Sequence, residues 1–219
     1  MHCISKDWRL NFVNKIRAGL AQLVERVIYT DDVGGSSPPS RTRLSNYLIN
    51  KNNMTDKELF LETLKSELPR FERVIKAVEA VPKHKHSYKH DKKSRTTFEL
   101  LSYTFGSESQ MIPVFLNGGK VDFATWPKPK WKSAGEIRKG FVKNMKKVAD
   151  SAKKMSEKKW NSKIKLYYGG KVSWEDRRGK IAWDFLLDLI HHRGQLSTHL
   201  RPMGGKVPSI YGPSADSSI

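Results

Sequence analysis

Asp188 and His192 are the residues of this sequence whose types and spacing are best suited to chemistry. They lie four positions apart in the run 181–201, which is apolar at its start and is followed by Pro202. Such a run is typical of a buried helix, and residues four apart lie on one face of a helix. One cation or one water molecule could therefore contact both the carboxylate of Asp188 and the imidazole of His192.

Two more polar side chains, Gln195 and His199, follow on the same stripe of this helix. At about 100° per residue, all four side chains lie within roughly 60° of one another. His199 is about two turns, or roughly 10 Å, beyond His192, so it cannot easily share one ion with the Asp188 and His192 pair. The spacing is equally consistent with an Asp–His hydrogen bond inside a bundle, so a metal site and a metal-free network both remain open.

Length and composition restrict the class of protein. The 219 residues suffice for one domain of ordinary size and an appendage. No apolar run approaches the ~20 residues of a membrane-spanning helix, so no membrane partner is expected. The only cysteine is Cys3, which excludes an internal disulfide and a cysteine-based zinc site and agrees with a cytoplasmic protein.

Residues 1–53 do not have the pattern of a folded domain. Residues 21–25 can be encoded by GCTCAGTTGGTAGAG and residues 35–38 by GGTTCGAGTCC, which resemble the D-arm and T-arm of a transfer-RNA gene. The two segments lie about 42 nucleotides apart, close to the spacing of those arms. We therefore expect a non-native or disordered leader and translation from Met54. A genuine disordered arm is the alternative, and the intact mass of the native protein separates the two.

Residues 54–219 contain four stretches with the apolar spacing of amphipathic helices. The first and third begin at predicted capping boxes, Thr55 to Glu58 and Ser133 to Glu136. Long connections join the four, and residues 161–179 are predicted to be a loop with a short extended piece at 164–168. This pattern predicts an all-α, four-helix bundle with long connections. The approximate helices are residues 56–81, 95–110, 134–155 and 180–201.

Histidines and lysines elsewhere suggest weaker sites. The connection 83–93 carries His84, His86 and His90 among lysines that would repel a cation, so we interpret it as a solvated loop. The outer face of the third helix carries six lysines: Lys139, Lys143, Lys146, Lys147, Lys153 and Lys154. Such a face could contact phosphates, although charge runs are usually solvated and this face lacks the aromatic side chains of a single-strand binder.

Basic residues exceed acidic ones throughout the chain, with 41 Lys and Arg against 22 Asp and Glu and a net charge of +19. Residues 1–53 contribute 8 basic and 4 acidic residues, so residues 54–219 keep a net charge of +15. Such an excess indicates nucleic acid or another acidic surface as a candidate partner, from charge only.

Two segments of the sequence carry a family resemblance. One is His191-His-Arg-Gly-Gln-Leu196, with Leu200-Arg201, Gly204 and Pro208 after it, and the other is residues 93–106. They resemble the C-terminal signature and the second helix of the DinB/YfiT-like family. The resemblance extends from Met54 to the C terminus and implies an up-down-down-up four-helix bundle, frequently a homodimer, often with a divalent metal held by three histidines. Some members transfer low-molecular-weight thiols, others are assigned as metal-dependent hydrolases, and the family name refers to DNA-damage induction.

Carried onto this sequence, the resemblance implies a metal site formed by Tyr103, Asp188 and His192. His192 keeps the second position of the family's histidine pair, Asp188 replaces the first, and Tyr103 replaces the histidine of the second helix. Neutral tyrosine is a weak ligand. An aspartate favours Mg, Mn or Ni, and Zn is a further candidate for the bound cation. Within this signature, Arg193 is expected either to pair with a carboxylate or to be solvated. Gly194 is expected either to allow close helix approach or to be a tolerated helix glycine.

Three functions follow as hypotheses. The first is a metal-dependent transferase or hydrolase that acts on a small molecule in a pocket between the second and fourth helices. The second is a metal-free, dimeric binding or stress-response module. The third is a basic bundle that binds nucleic acid. The stoichiometry of bound metal separates the first two, and sequence preference at physiological salt would favour the third.

Overall fold

A computed structural model describes residues 54–218, in which four long helices form a bundle. Helix α1 is Asp56–Ala80, α3 is Ala134–Lys154 and α4 is Arg178–Leu200. Helix α2 has three contiguous parts: Thr97–Leu101, a π-helical segment Ser102–Glu108, and Ser109–Leu116. Helices α1 and α2 each pack against both α3 and α4. The all-α class is confirmed, and the predicted leader, residues 1–53, lies outside the described residues.

Hydroxyl caps define where α1 and α3 begin. The Thr55 hydroxyl accepts from the Glu58 backbone amide while the Glu58 carboxylate accepts from the Thr55 amide, which confirms the predicted capping box. At α3, the Ser133 hydroxyl accepts from the Glu136 amide as predicted. The Glu136 carboxylate, however, accepts from the Lys132 amide, so the reciprocal half of that box is not formed as predicted.

The core lies where the apolar faces of the helices meet. Phe71 of α1, Phe105 of α2 and Phe141 of α3 are fully buried and pack edge to face, with ring centroids 5.1 to 5.9 Å apart. Burying each such side chain contributes about 1.5–3 kcal/mol. Within residues 54–218, no helix is long and apolar enough to cross a membrane.

A β-hairpin joins α3 to α4, after a short helix at Glu157–Trp160. Strand β1, Lys163–Tyr168, pairs antiparallel with β2, Lys171–Arg177. Gly169 and Gly170 form the turn with φ angles of 59° and 79°, a left-handed conformation that glycine adopts without strain. The sequence predicted only the first extended piece. The second strand was not predicted, although Val172 and Trp174 alternate with polar residues over 171–175.

The connection 83–93 is not wholly the solvated loop that the sequence predicted. His86 is buried rather than solvated, and its Nε2 atom lies 2.9 Å from the carbonyl oxygens of both Val78 and Val81. These carbonyls belong to the end of α1, where backbone acceptors have no partner within the helix. His86 therefore caps α1, a role that the surrounding lysines concealed in the sequence.

The C-terminal tail packs back on the bundle. The Arg193 guanidinium forms a buried ion pair with Glu67 of α1 and donates to the Tyr211 hydroxyl, 2.6 Å away. Tyr211 in turn donates to Glu67 over 3.1 Å. Arg193 thus pairs with a carboxylate as expected. A Cβ atom at Gly194 would meet no atom within 4 Å, so close helix approach does not require this glycine and the alternative of a tolerated helix glycine fits.

Candidate metal centre

Helix α4 places Asp188 and His192 one turn apart on one face, as their spacing predicts. The Nε2 atom of His192 lies 3.3 Å from Oδ2 of Asp188. The His192 side chain is 15% exposed and that of Asp188 is 42% exposed. The imidazole therefore faces the interior, while the aspartate lies at the boundary with solvent.

Helix α2 supplies a third polar side chain, Glu108, to the same place. Glu108, Asp188 and His192 each offer one ligand atom, and these three atoms lie within 4.8 Å of one another. Atoms bound to one ion at ~2 Å each are at most about 4 Å apart, so the three are close to a ligand arrangement already. Among residues 54–218, this is the one such group of three His, Cys, Asp or Glu side chains.

The π-helical segment explains why Glu108 reaches this group. In an α-helix, residues five apart are separated by about 140° around the axis. In a π-helix the hydrogen bonds connect residues five apart, which brings Tyr103 and Glu108 toward one face. Single π turns inside α-helices occur frequently at functional sites. The local distortion of α2 therefore directs both side chains toward α4.

The cost of burying the Glu108 carboxylate is only partly offset by hydrogen bonds and nearby charges. Its Oε2 atom is buried and has no hydrogen-bond partner among the described residues. Burial is the main cause that raises the pKa of Glu108 to about 7, and the negative charge of Asp188 raises it further. His192, Tyr103 and Arg95 act in the opposite direction. The carboxyl group consequently takes up or releases its proton near neutral pH.

A neighbouring side chain, Gln195, determines the orientation and the protonated nitrogen of the His192 ring. Its Nδ1 atom lies 2.7 Å from Oε1 of Gln195, and Nε2 of Gln195 lies 3.0 Å from Nε2 of His191. An amide oxygen can only accept, so Nδ1 of His192 carries a proton and Nε2 faces Asp188. Burial tends to lower the pKa of His192, but Asp188, Gln195 and Glu108 together raise it.

Tyr103, the ligand implied on the second helix, lies beside this group. The residue is 41% exposed, and the Arg95 guanidinium covers its ring with Cζ 4.1 Å from the centroid. Burial around the hydroxyl raises the pKa of Tyr103 to about 12, and the neighbouring Glu108 raises it as well. Tyr103 is therefore a neutral hydroxyl at physiological pH. Its role as a ligand stays a prediction.

His199 is separate from the group. It is buried, its Nδ1 atom lies 2.8 Å from the Thr97 hydroxyl, and its ring packs edge to face on His90 with centroids 4.4 Å apart. This position agrees with the estimate from helical spacing that His199 cannot share an ion with His192.

Sequence reasoning missed Glu108. The residue lies between Gly106 and a mostly apolar stretch, and an α-helical projection does not place it with Tyr103. The one available signal was the charge itself, since a carboxylate beside buried positions of a core helix requires a partner.

Two carboxylates and one imidazole form a mixed oxygen and nitrogen donor set. Such a set suits hard or borderline divalent cations better than a site of sulfur ligands would. Three protein ligands also leave positions for water or substrate, which is the usual composition of a catalytic rather than a structural site.

No protein-family model and no curated protein sequence matches this chain, whereas solved structures do, among them two DinB-like proteins. The first is the DinB-like protein YjoA from Bacillus subtilis, with a TM-score of 0.51 and 17% identity over 67% of this chain and 92% of that one. The second is a DinB-like protein from Bacillus cereus, with a TM-score of 0.55 and 16% identity over 69% and 95%. This chain has the fold of the DinB-like proteins.

Proposed function

We propose that Glu108, Asp188 and His192 bind one divalent cation in a DinB-like protein that acts on a small molecule between α2 and α4. The observation that carries this proposal is the buried Oε2 atom of Glu108, which has no hydrogen-bond partner among residues 54–218. A buried carboxylate oxygen without a partner is costly, and a cation would satisfy it.

Electrostatics support the same assignment. The charge of Asp188 disfavours ionisation of Glu108, and burial disfavours it more strongly. A divalent cation between the two carboxylates would replace this repulsion with attraction. The donor set is compatible with Mn²⁺, Ni²⁺, Zn²⁺ or Mg²⁺, as the sequence suggested.

The neighbouring side chains have distinct roles in this proposal. Gln195 holds the His192 imidazole with Nε2 directed at the group, and Tyr103 offers a neutral hydroxyl donor to Glu108. Arg95 lies over the exposed ring of Tyr103, where it can attract a negatively charged part of a substrate. A bound cation would supply Lewis-acid polarisation or an acidified water molecule. The proposed reaction class is therefore transfer or hydrolysis.

Metal stoichiometry tests the proposal directly. Full-length protein purified without an affinity tag is expected to bind about one equivalent of Mn²⁺, Ni²⁺ or Zn²⁺ by calorimetry and elemental analysis. Glu108→Gln and His192→Gln should each weaken binding by at least about tenfold. Glu62→Gln, at an exposed position of α1, is the matched control and should bind as the wild type does. Less than ~0.1 equivalent after addition of each metal contradicts the proposal.

The same measurement tests the alternative of a metal-free binding module. Its support is the contact of Asp188 with His192 and that of Gln195 with His192, which form a network without any ion. That alternative predicts no metal and, from the family resemblance, a homodimer. Sedimentation equilibrium measures the oligomeric state independently of metal content.

A further inference from the structure

The exposed face of α3 forms a basic stripe, defined by Lys139, Lys143, Lys146, Lys147, Lys153 and Lys154. All six lysines are exposed. At about 100° and 1.5 Å per residue, they occupy a sector of roughly 120° and a length of about 22 Å. The charge on α3 is therefore concentrated on one side of the helix rather than distributed around it.

The lysines of the basic stripe are not neutralised by neighbours. Among residues 54–218, none of the six has an ion pair with a carboxylate, whereas Lys57, Lys76, Lys165 and Lys180 each do. The carboxylate of Glu72, which borders the stripe, already pairs with Arg138 at 2.9 Å and Lys76 at 3.5 Å. Asp150 lies within the sector, so the stripe keeps a local excess of five positive charges.

A groove of about 480 Å³ runs beside the basic stripe. Its lining includes Arg138 and Val142 together with four lysines of the stripe, and its acidic residues are Glu72 and Asp150. The groove gives the lysines a concave surface along which a charged polymer could lie. It lies on α1 and α3, whereas the candidate metal centre lies between α2 and α4.

We propose that the basic stripe binds the phosphate backbone of duplex nucleic acid without sequence preference. Over the ~22 Å of the stripe, a duplex carries about 13 phosphate charges around its whole circumference. The phosphates on the near side could contact several separate lysines at once, which one small anion could not. The stripe has no aromatic side chain on which an unpaired base could stack, which favours a duplex over a single strand. Contacts to phosphates carry no sequence information, so two unrelated duplexes should bind equally.

Salt dependence measures the number of phosphate contacts. With six contacts, the affinity of the full-length protein for a duplex of about 20 base pairs should fall roughly 1,000-fold between about 50 mM and about 200 mM salt. Replacing Lys139, Lys143, Lys146 and Lys147 by Gln removes four contacts. For this stripe variant the fall should be only about tenfold. Fluorescence anisotropy with two duplexes of unrelated sequence measures both effects.

A charge-matched control separates the stripe from overall charge. Lys83, Lys92, Lys93 and Lys171 are exposed residues elsewhere, and replacing all four by Gln lowers the net charge by the same amount. This control should keep the wild-type salt dependence. An equal change in both variants, or a stripe variant that binds as the wild type does, overturns the proposal. So does tighter binding to vesicles containing phosphatidylserine than to duplex. Circular dichroism checks that both variants remain folded, since exposed Lys and Gln have similar helix propensities.

Discussion

Glu108 is an acid whose surroundings oppose its ionised form. Burial and the charge of Asp188 raise its pKa to about 7, from an ordinary value near 4.5. For a carboxyl whose pKa is higher in the folded state, the unfolded state loses its proton first. The group therefore favours folding at low pH, and that contribution is lost as the pH rises from about 4.5 through 7.

Glu108→Gln should remove this pH dependence. In metal-free protein at pH 8, the variant is expected to be more stable than the wild type, by up to about 3 kcal/mol. At pH 5 the two proteins should be nearly equal, because Glu108 is then protonated in the folded state. Urea unfolding at both pH values, with a chelator present, measures the difference. If the free energy of unfolding changes with pH equally in the two proteins, the folded state does not raise the pKa of Glu108.

Gln195 determines which nitrogen of His192 carries the proton. Gln195→Ala removes the acceptor 2.7 Å from Nδ1, so the imidazole is free to change tautomer and rotate. The loss of such a partner typically weakens metal binding by about 10–100-fold. Nitrogen NMR of His192 reports the tautomer, and calorimetry with Mn²⁺ reports affinity. An unchanged tautomer together with unchanged affinity would remove Gln195 from the proposed role.

At the scale of elements, the four helices were predicted because each carries a long apolar period and because two of them begin at capping boxes that the sequence shows. The starts of α1 and α3 are as predicted at Thr55 and Ser133. Helix α2 was predicted to end near residue 110 but ends at Leu116, beyond Pro113. The short helical piece Ser109–Leu116, which contains this proline, packs on α3.

There is a physical reason why only part of the candidate site could be predicted from the sequence. Asp188 and His192 are local neighbours on one regular helix, so their meeting follows from helical spacing. Glu108 joins them through a π-helical segment and a contact between distant parts of the chain. No local propensity distinguishes a π turn from an α turn, so that partner could not be derived from periodicity.

The same segment contains Gly106, whose size is required by packing. A Cβ atom at this position would clash with the indole of Trp131, which lies partly buried against the core. Gly106→Ala should therefore lower the free energy of unfolding by about 1–3 kcal/mol. Gly194→Ala is the matched control, since a Cβ there meets open space and the change should be neutral or stabilising by up to about 1 kcal/mol.

Chemical denaturation of the two glycine variants measures these effects. A Trp131→Leu background should reduce the cost of Gly106→Ala, because the clashing indole is then gone. An equal cost in both backgrounds would indicate that the conformation of the π-helical segment, rather than contact with Trp131, requires glycine at this position.

At the scale of the whole molecule, one ion pair connects the first helix, the last helix and the tail. Glu67 and Arg193 are both buried, and the Tyr211 hydroxyl bonds to each of them. Removal of one partner of a buried pair leaves an uncompensated charge and typically costs about 3–5 kcal/mol. The tail is therefore expected to contribute to the stability of the bundle.

Glu67→Gln and Tyr211→Phe should differ accordingly. The first should destabilise the protein by about 3–5 kcal/mol. The second removes one neutral donor and should cost about 1–2 kcal/mol. Thermal unfolding of both variants, compared with the wild type, gives the ranking. A smaller loss for Glu67→Gln than for Tyr211→Phe would mean that Arg193 finds another partner.

Arg193 directly follows His192 on α4, and the two side chains point about 100° apart around the helix axis. One is anchored to Glu67 of α1 and the other contributes to the group shared with α2. If α4 rolled about its own axis, the buried guanidinium would lose its carboxylate before the imidazole had turned far. The ion pair thus limits rotation of α4 and fixes the orientation of His192 from an adjacent face of the helix.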